Sequence, residues 1–333
     1  MHKRNASESR KQNFKFKVMT DSVHVVTFSD KHCSAIDNLK ADCKKTHFPF
    51  TVLGLGEKWE SNTLKLRLLK DFIQSKVKED ILLVIDAFDV RITGSGESIQ
   101  EKISQLECDV LFGAEANYYF RDKELSHAYW NKYPRDGTYH YLNSGTLLGK
   151  SSSILQLIDG LTNRYEIDLG DNEQLCSLIS DQYLYSRYYV DTKLDGANEL
   201  NISIDTEQSL FGCSGGAMGV VNWPVFNMLH QYCFFREERK LIKTFHLRPY
   251  QIKARDLVLK QQQIVNTRTG ESPDIIHLPG THQHFDLAWN YLNKRKMSLK
   301  WYVLRLFAVN ISFIAYLMSI VKFFTSAKPT STD

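Results

Sequence analysis

The chain has 333 residues, 43% of them hydrophobic and 24% charged. That composition excludes a disordered or collagen-like chain, and the length suffices for a full core without covalent staples. The net charge of +4 gathers at the ends, with six Lys/Arg against one acid in residues 1–17 and five against none in 292–305; the acidic body this leaves excludes a nucleic-acid binder, whose recognition face is basic.

Val23–Phe28 (VHVVTF) reads as a buried strand, followed by a helix over 33–45 and a second strand, FTVLGL, over 50–55. Leu64, Leu68, Leu69, Phe72 and Ile73 recur at helical spacing, so the pattern predicts a helix over 63–77. Ile81–Ile85 (ILLVI) is a continuous apolar run, as expected of a strand covered on both faces. A helix near 97–106 and a strand at 110–114 complete a β-α-β-α-β-α-β alternation, which predicts a doubly wound parallel sheet. YLNSGTLLG (141–149) reads as strand, turn and strand, and helices are expected near 151–163 and 172–189. The stretch 200–280 is mixed, with Gly-rich turns at 212–219 and a last strand at 275–278. The expected organisation is a basic N-terminus over 1–20, one catalytic domain over 21–297, and a tail over 298–333.

Six cysteines lie scattered without a C-x-x-C pair, so reduced thiols are expected rather than a zinc site or a disulfide framework. No apolar segment follows the N-terminal basic run, so a cleaved signal peptide is not expected. Leu306–Val321 is sixteen residues without a charge, flanked by Arg305 and Lys322, with Trp301 and Tyr302 just before it. Sixteen helical residues cover about 24 Å of a hydrocarbon core about 30 Å thick. The segment 301–324 is therefore read as a short or tilted membrane span, with an interfacial helix, or a packed C-terminal helix of a soluble cytoplasmic chain, as the alternatives. The heavier Lys/Arg flank precedes it, which places the body in the cytoplasm.

Asp86-Ala87-Phe88-Asp89 follows the strand ILLVI directly. Ligands of open α/β sheets sit beyond the carboxyl ends of the strands, and two carboxylates on one tight turn there suit a divalent cation. The other reading is an N-cap aspartate beside a solvated one. His277, at the end of another apolar strand (IIHLPG, 275–280), is read as a third ligand, favouring Mn²⁺ over Mg²⁺, or as a hydrogen-bonded strand-end histidine. Asn143 and Gly145 in YLNSG form a turn that lets backbone approach a sugar or phosphate. Asp181 and Gln182 are read either as groups for sugar hydroxyls or proton transfer, or as a helix cap.

Together, VVTF (25–28), VLGLGEKW (52–59), KLRLLK (65–70), LLVIDAFDV (82–90), LFGAEANYYF (111–120), YLNSGTLLG (141–149), SDQYLYSRYYVD (180–191), NISID (201–205) and IIHLPG (275–280) resemble the glycosyltransferase domain of the procollagen lysyl hydroxylase/glycosyltransferases over about residues 20–290. The resemblance implies a GT-A (Rossmann-like) α/β fold: a mostly parallel sheet with helices on both faces, here followed by a C-terminal hydrophobic helix. It implies a UDP-sugar donor and Mn²⁺, with Asp86, Asp89 and His277 at the metal. Thr27, Lys65, Asp86, Glu115 and Gly280 would stand at the nucleotide sugar, with Asn143, Asp181 and Gln182 at the sugar as the catalytic group. Trp59 would border the nucleotide or pack. Two departures bear on donor and acceptor geometry: Leu278-Pro279 intervene before Gly280, and the acidic run before Asp181-Gln182 is reduced to Ile179-Ser180.

An iron dioxygenase needs H-x-[DE] and a later histidine. His284-Phe285-Asp286 supplies the first part and no histidine follows in the sequence, so a hydroxylase is not expected. The expected function is transfer of a hexose, glucose or galactose, to a hydroxyl of a protein or glycoconjugate at a membrane. The competing expectations are a non-catalytic nucleotide-sugar or carbohydrate binder and a nucleotide-sugar hydrolase.

Overall fold

The computed structural model describes residues 23–76, 81–116, 122, 124–125, 128–129, 139–196, 200–213, 257–261 and 263–279. All of these belong to one unit that ends at Ala288. The basic N-terminus, most of the Gly-rich turns, Gly280, Cys233 and the apolar tail lie outside them. Among the described residues no helix is long and apolar enough to cross a membrane.

In chain order the elements are β1 (Val23–Phe28), α1 (Ser34–Thr46), β2 (Phe50–Leu53), α2 (Leu64–Lys76), β3 (Ile81–Asp86), β4 (Val90–Ile92), α3 (Gly96–Ser104), β5 (Val110–Glu115), β6 (Tyr141–Lys150), α4 (Ser151–Arg164), α5 (Asn172–Ser177), α6 (Asp181–Asp195), β7 (Ile202–Ile204), β8 (Phe211–Cys213), β9 (Leu257–Lys260), β10 (Gln263–Asn266) and β11 (Ile275–His277). The result is a mixed α/β protein. Its six-stranded sheet has the order β2-β1-β3-β6-β5-β7.

Five of the six strands run the same way. The exception is β6, antiparallel to both β3 and β5. The expected mostly parallel sheet is therefore what forms, and its one reversed strand carries its first residues to the carboxyl ends of its neighbours. Ile85 pairs with Thr146, and Glu115 with Tyr141. The segment 141–149 is not two strands around a turn. It is one ten-residue strand, because sheet pairing on both sides overrides the turn preference of Asn-Ser-Gly. The irregularity survives as a bulge: Phe112 pairs with Leu147, but the next residue, Gly113, pairs with Asn143. Bulges of this kind re-aim side chains at active-site edges.

Both faces of the sheet are covered. On one, Val26, Phe28, Leu82 and Val84 pack with Leu66, Leu69, Phe72 and Ile73 of α2 and with Ile154, Leu157, Ile158 and Leu161 of α4. On the other, Val25, Leu83 and Ile85 pack with Leu39 of α1 and Ile99 and Ile103 of α3. The alternation of strand residues between the two cores follows from the two-residue strand period. A three-stranded sheet, β4-β11-β8, joins the second core, while β9 and β10 form a separate hairpin. The expected single helix over 172–189 is two. Asp171 caps α5 by accepting from the backbone N–H groups of Glu173 and Gln174, and Ser180 caps α6 by accepting from that of Tyr183. Two N-caps in succession force two helices.

The turn after β3 is braced from below. Arg91 of β4 donates through Nε and Nη2 to the two carboxylate oxygens of buried Asp42 in α1, at 2.5 and 2.9 Å, and the Ile92 N–H donates to the same carboxylate. Removing one partner of a buried pair strands the other's charge. Asp42→Ala is expected to lower unfolding stability by about 3 kcal/mol in urea titration.

Candidate active site

Asp86 is the last residue of β3, and Asp89 immediately precedes β4. The third expected ligand arrives from far along the chain. β11 pairs antiparallel with β4 so that His277 lies opposite Val90, and the Leu278 N–H donates to the Asp89 carbonyl at 2.8 Å. As a result Asp86, Asp89 and His277 each offer a ligand atom within 4.8 Å of the others. His277 Nε2 lies 3.4 Å from Asp89 Oδ1. His277 is buried, and among the described residues neither ring nitrogen has a hydrogen-bond partner. Burial alone would lower its pKa, but Asp89 beside it, with Asp86 and Glu115, raises it on balance. Buried imidazole nitrogens left without hydrogen bonds between two carboxylates are the donor set a divalent cation fits.

The bulge in β6 makes room for that imidazole. A Cβ on Gly145 would collide with ring atom Cε1 of His277 and press on both nitrogens. If the cluster holds a divalent cation, Gly145→Ala is expected to displace the ring and weaken binding of that ion by about tenfold or more, read with Mn²⁺ as the probe from the free-ion paramagnetic signal.

A second group of side chains faces the cluster. Lys65 of α2 places Nζ 2.6 Å from Asp86 Oδ1 and 3.4 Å from Asp181 Oδ2. Burial disfavours the ammonium, yet Asp181 and Asp86 together hold its pKa above the ordinary lysine value. Asp181 opens α6, and its Oδ2 accepts from the Ser144 hydroxyl at 3.2 Å. The Ser144 N–H donates to Gln182 Oε1 at 3.4 Å. Gln182 Nε2 and Asn143 Nδ2 both donate to Glu115 Oε1, at 2.8 and 3.1 Å. Asn143 Oδ1 accepts from the Gly145 N–H at 2.9 Å. Glu115 is fully buried, and among the described residues its Oε2 has no hydrogen-bond partner. Burial pushes its carboxyl up to about 7, against the opposing pull of Asn143, His277 and Gln182.

The structure thus brings together Lys65, Asp86, Asp89, Glu115, Asn143, Asp181, Gln182 and His277. It answers the helix-cap reading of Asp181, since the cap is Ser180. It places Thr27 differently from the rest: fully buried, with its hydroxyl donating to the Ile85 carbonyl at 2.7 Å, Thr27 fixes the strand end from which Asp86 projects. Gly280 lies outside the described residues. Trp59 packs against the core beside α2 and donates to Asn62 Oδ1. Sequence reasoning misses Ser144. It lies within YLNSG, but only the pairing of the bulge with α6 gives its hydroxyl a partner.

The family model described as the PLOD GT domain matches residues 19–228. The chain belongs to this family. Seven of the eight assembled side chains fall inside the matched span; His277 lies beyond it and is brought in by β11. The Drosophila melanogaster "Procollagen-lysine,2-oxoglutarate 5-dioxygenase" is 27% identical over 216 residues, covering 62% of this chain and 27% of that protein. The Homo sapiens "Multifunctional procollagen lysine hydroxylase and glycosyltransferase LH3" is 29% identical over 187 residues, covering 52% and 23%. The chain therefore spans about a quarter of the length of these relatives. A solved glycosyltransferase involved in glycosylation of the major capsid of PBCV-1 aligns with a TM-score of 0.40 and 10% identity, over 80% of this chain and 98% of that one. This protein is a glycosyltransferase-type domain of the PLOD kind.

Proposed function

We propose that this PLOD GT domain has the GT-A architecture and is a metal-dependent hexosyltransferase, moving glucose or galactose from a UDP-sugar to a hydroxyl of a protein or glycoconjugate, with Mn²⁺ as the ion and Mg²⁺ as its substitute. The observation that carries this reading is the Asp86–Asp89–His277 cluster beyond the carboxyl end of β3, with Asp89 and His277 buried and Asp86 half-buried, facing a hydrogen-bonded group of carboxylates and amides. Asp86, Asp89 and His277 would hold the ion. A divalent cation there supplies charge neutralisation for a departing nucleoside diphosphate. Lys65 pairs with both Asp86 and Asp181 and can turn its ammonium to a phosphate oxygen. Asn143, Asp181 and Gln182 offer the mixed donors and acceptors that sugar hydroxyls require, and Asp181 can orient or deprotonate an acceptor hydroxyl. Glu115 fixes the two amides. Catalysis on this reading is positioning plus electrostatic stabilisation.

The test is nucleotide release by the full chain with Mn²⁺, screened over UDP-glucose, UDP-galactose and other nucleotide sugars, with and without hydroxyl acceptors. The expected result is release from one donor, stimulated by acceptor and abolished by chelator. Acceptor-independent release with free sugar as product would make the protein a hydrolase, and no release from any donor with Mn²⁺ bound would make it a binder. The uncharged run Leu306–Val321 and its basic flank support a membrane-attached domain facing the cytoplasm. Carbonate extraction and protease protection test that attachment, and a chain that washes off the membrane refutes it.

A further inference from the structure

Lys65 occupies one of the carboxylates of the cation cluster. Its Nζ is 2.6 Å from Asp86 Oδ1 and 3.4 Å from Asp181 Oδ2, and its side chain is only 14% exposed. The Phe28 ring lies 5.9 Å from the same ammonium. An ammonium has three donors, and here both charged partners are anions of the site. A divalent cation binding to Asp86 must share that carboxylate with Lys65, and two positive charges a few ångströms apart repel. A diphosphate reverses the relation, because it offers oxygens to both. With the ammonium on a phosphate, Asp86 is released to the metal and Asp181 loses its counter-ion.

We infer that Lys65 makes the binding of metal and nucleotide cooperative, competing with the metal for Asp86 when the site holds no nucleotide and moving to the diphosphate when it does. This rests on the metal and nucleotide reading above. Coupling of this kind is reciprocal, so each ligand tightens the other by the same factor. It also frees Asp181 only once the donor is in place, which keeps the carboxylate facing the acceptor paired until there is a sugar to transfer.

The experiment measures Mn²⁺ affinity of the full chain from the free Mn²⁺ paramagnetic signal, with and without UDP. The proteins compared are wild type, Lys65→Met, Lys65→Arg, Lys70→Met and Asp89→Asn. Lys70 sits on the same helix but pairs with Asp159, so its removal takes the same charge from α2 without touching Asp86. For wild type, UDP is expected to tighten Mn²⁺ binding by about fivefold or more. Lys65→Met is expected to bind Mn²⁺ about fivefold more tightly than wild type without UDP and to lose most of the UDP enhancement. Lys65→Arg should restore the competition, and Lys70→Met should behave as wild type. Thermal unfolding of each variant shows that it is folded. Equal Mn²⁺ affinity in wild type and Lys65→Met, or an undiminished UDP effect in Lys65→Met, overturns the coupling alone. No Mn²⁺ uptake by wild type, or equal uptake by Asp89→Asn, overturns the metal site and the coupling with it.

Discussion

On the proposed metal-dependent transfer, Asp89→Asn is expected to lower nucleotide release by about a thousandfold, equivalent to about 4 kcal/mol of transition-state stabilisation, while leaving the protein folded. The geometry sets this expectation. The Asp89 carboxylate is buried and lies against the imidazole of His277, so it has little water to replace a lost charge. Its backbone carbonyl is fixed separately, by the N–H of Leu278. An amide of the same shape therefore leaves β4 and β11 paired and removes only the charge. Stability should hold or rise slightly, because the variant relieves repulsion within a cluster that also contains Asp86. The measurement is kcat for nucleotide release with saturating Mn²⁺, alongside Mn²⁺ affinity and the unfolding temperature. A variant that binds Mn²⁺ weakly and turns over slowly supports the assignment. One that keeps wild-type turnover shows that Asp89 is not a ligand.

How much of this site can be read from the residues depends on where each one sits in the sheet. Asp86 and Asp89 are legible because the apolar run before them is long and unbroken, and a strand end in an open α/β sheet is where ligands bind. Glu115, at the end of β5, is reached through the family resemblance and not through a pattern of its own. Asn143 comes to the cluster as expected of its segment, but in a different local structure. The expected turn is a bulge in a continuous strand, and no local pattern reveals that β6 runs against β3 and β5. That reversal is decided by pairing between segments dozens of residues apart, and it is what carries Asn143, Ser144 and Gly145 to the carboxyl edge. The break between α5 and α6 is readable in principle from Asp171 and Ser180, two capping residues in a stretch whose apolar pattern suggests one helix. Thr27, which the family resemblance puts at the nucleotide sugar, has its hydroxyl engaged by the neighbouring strand. Polarity near a site does not separate a binding group from a fixing one; the partner does.

Glu115 gives the other large effect, on stability rather than turnover. Its carboxyl is fully buried and is pushed from the ordinary 4.5 up to about 7. Below pH 4.5 both folded and unfolded chains hold the proton and the group contributes nothing. Between pH 4.5 and 7 the unfolded chain releases the proton while the folded one keeps it, so stability falls as pH rises. Across that window, at about 1.4 kcal/mol for each pH unit, the loss amounts to about 3 kcal/mol, and it persists at higher pH. Glu115→Gln abolishes the titration but keeps an oxygen for the amides of Asn143 and Gln182. It buries an extra amide donor in exchange, which offsets part of the gain. In metal-free protein the variant should therefore be about 2 kcal/mol more stable than wild type at about pH 8, and no more stable at about pH 4. Urea titrations at the two pH values measure the difference. The same stability gap at both pH values would show that the carboxylate is not strained by burial. A gap that opens only at high pH would show that the carboxylate beside the amides of Asn143 and Gln182 is kept at a cost in stability, and slower nucleotide release by the variant would tie that cost to the proposed activity.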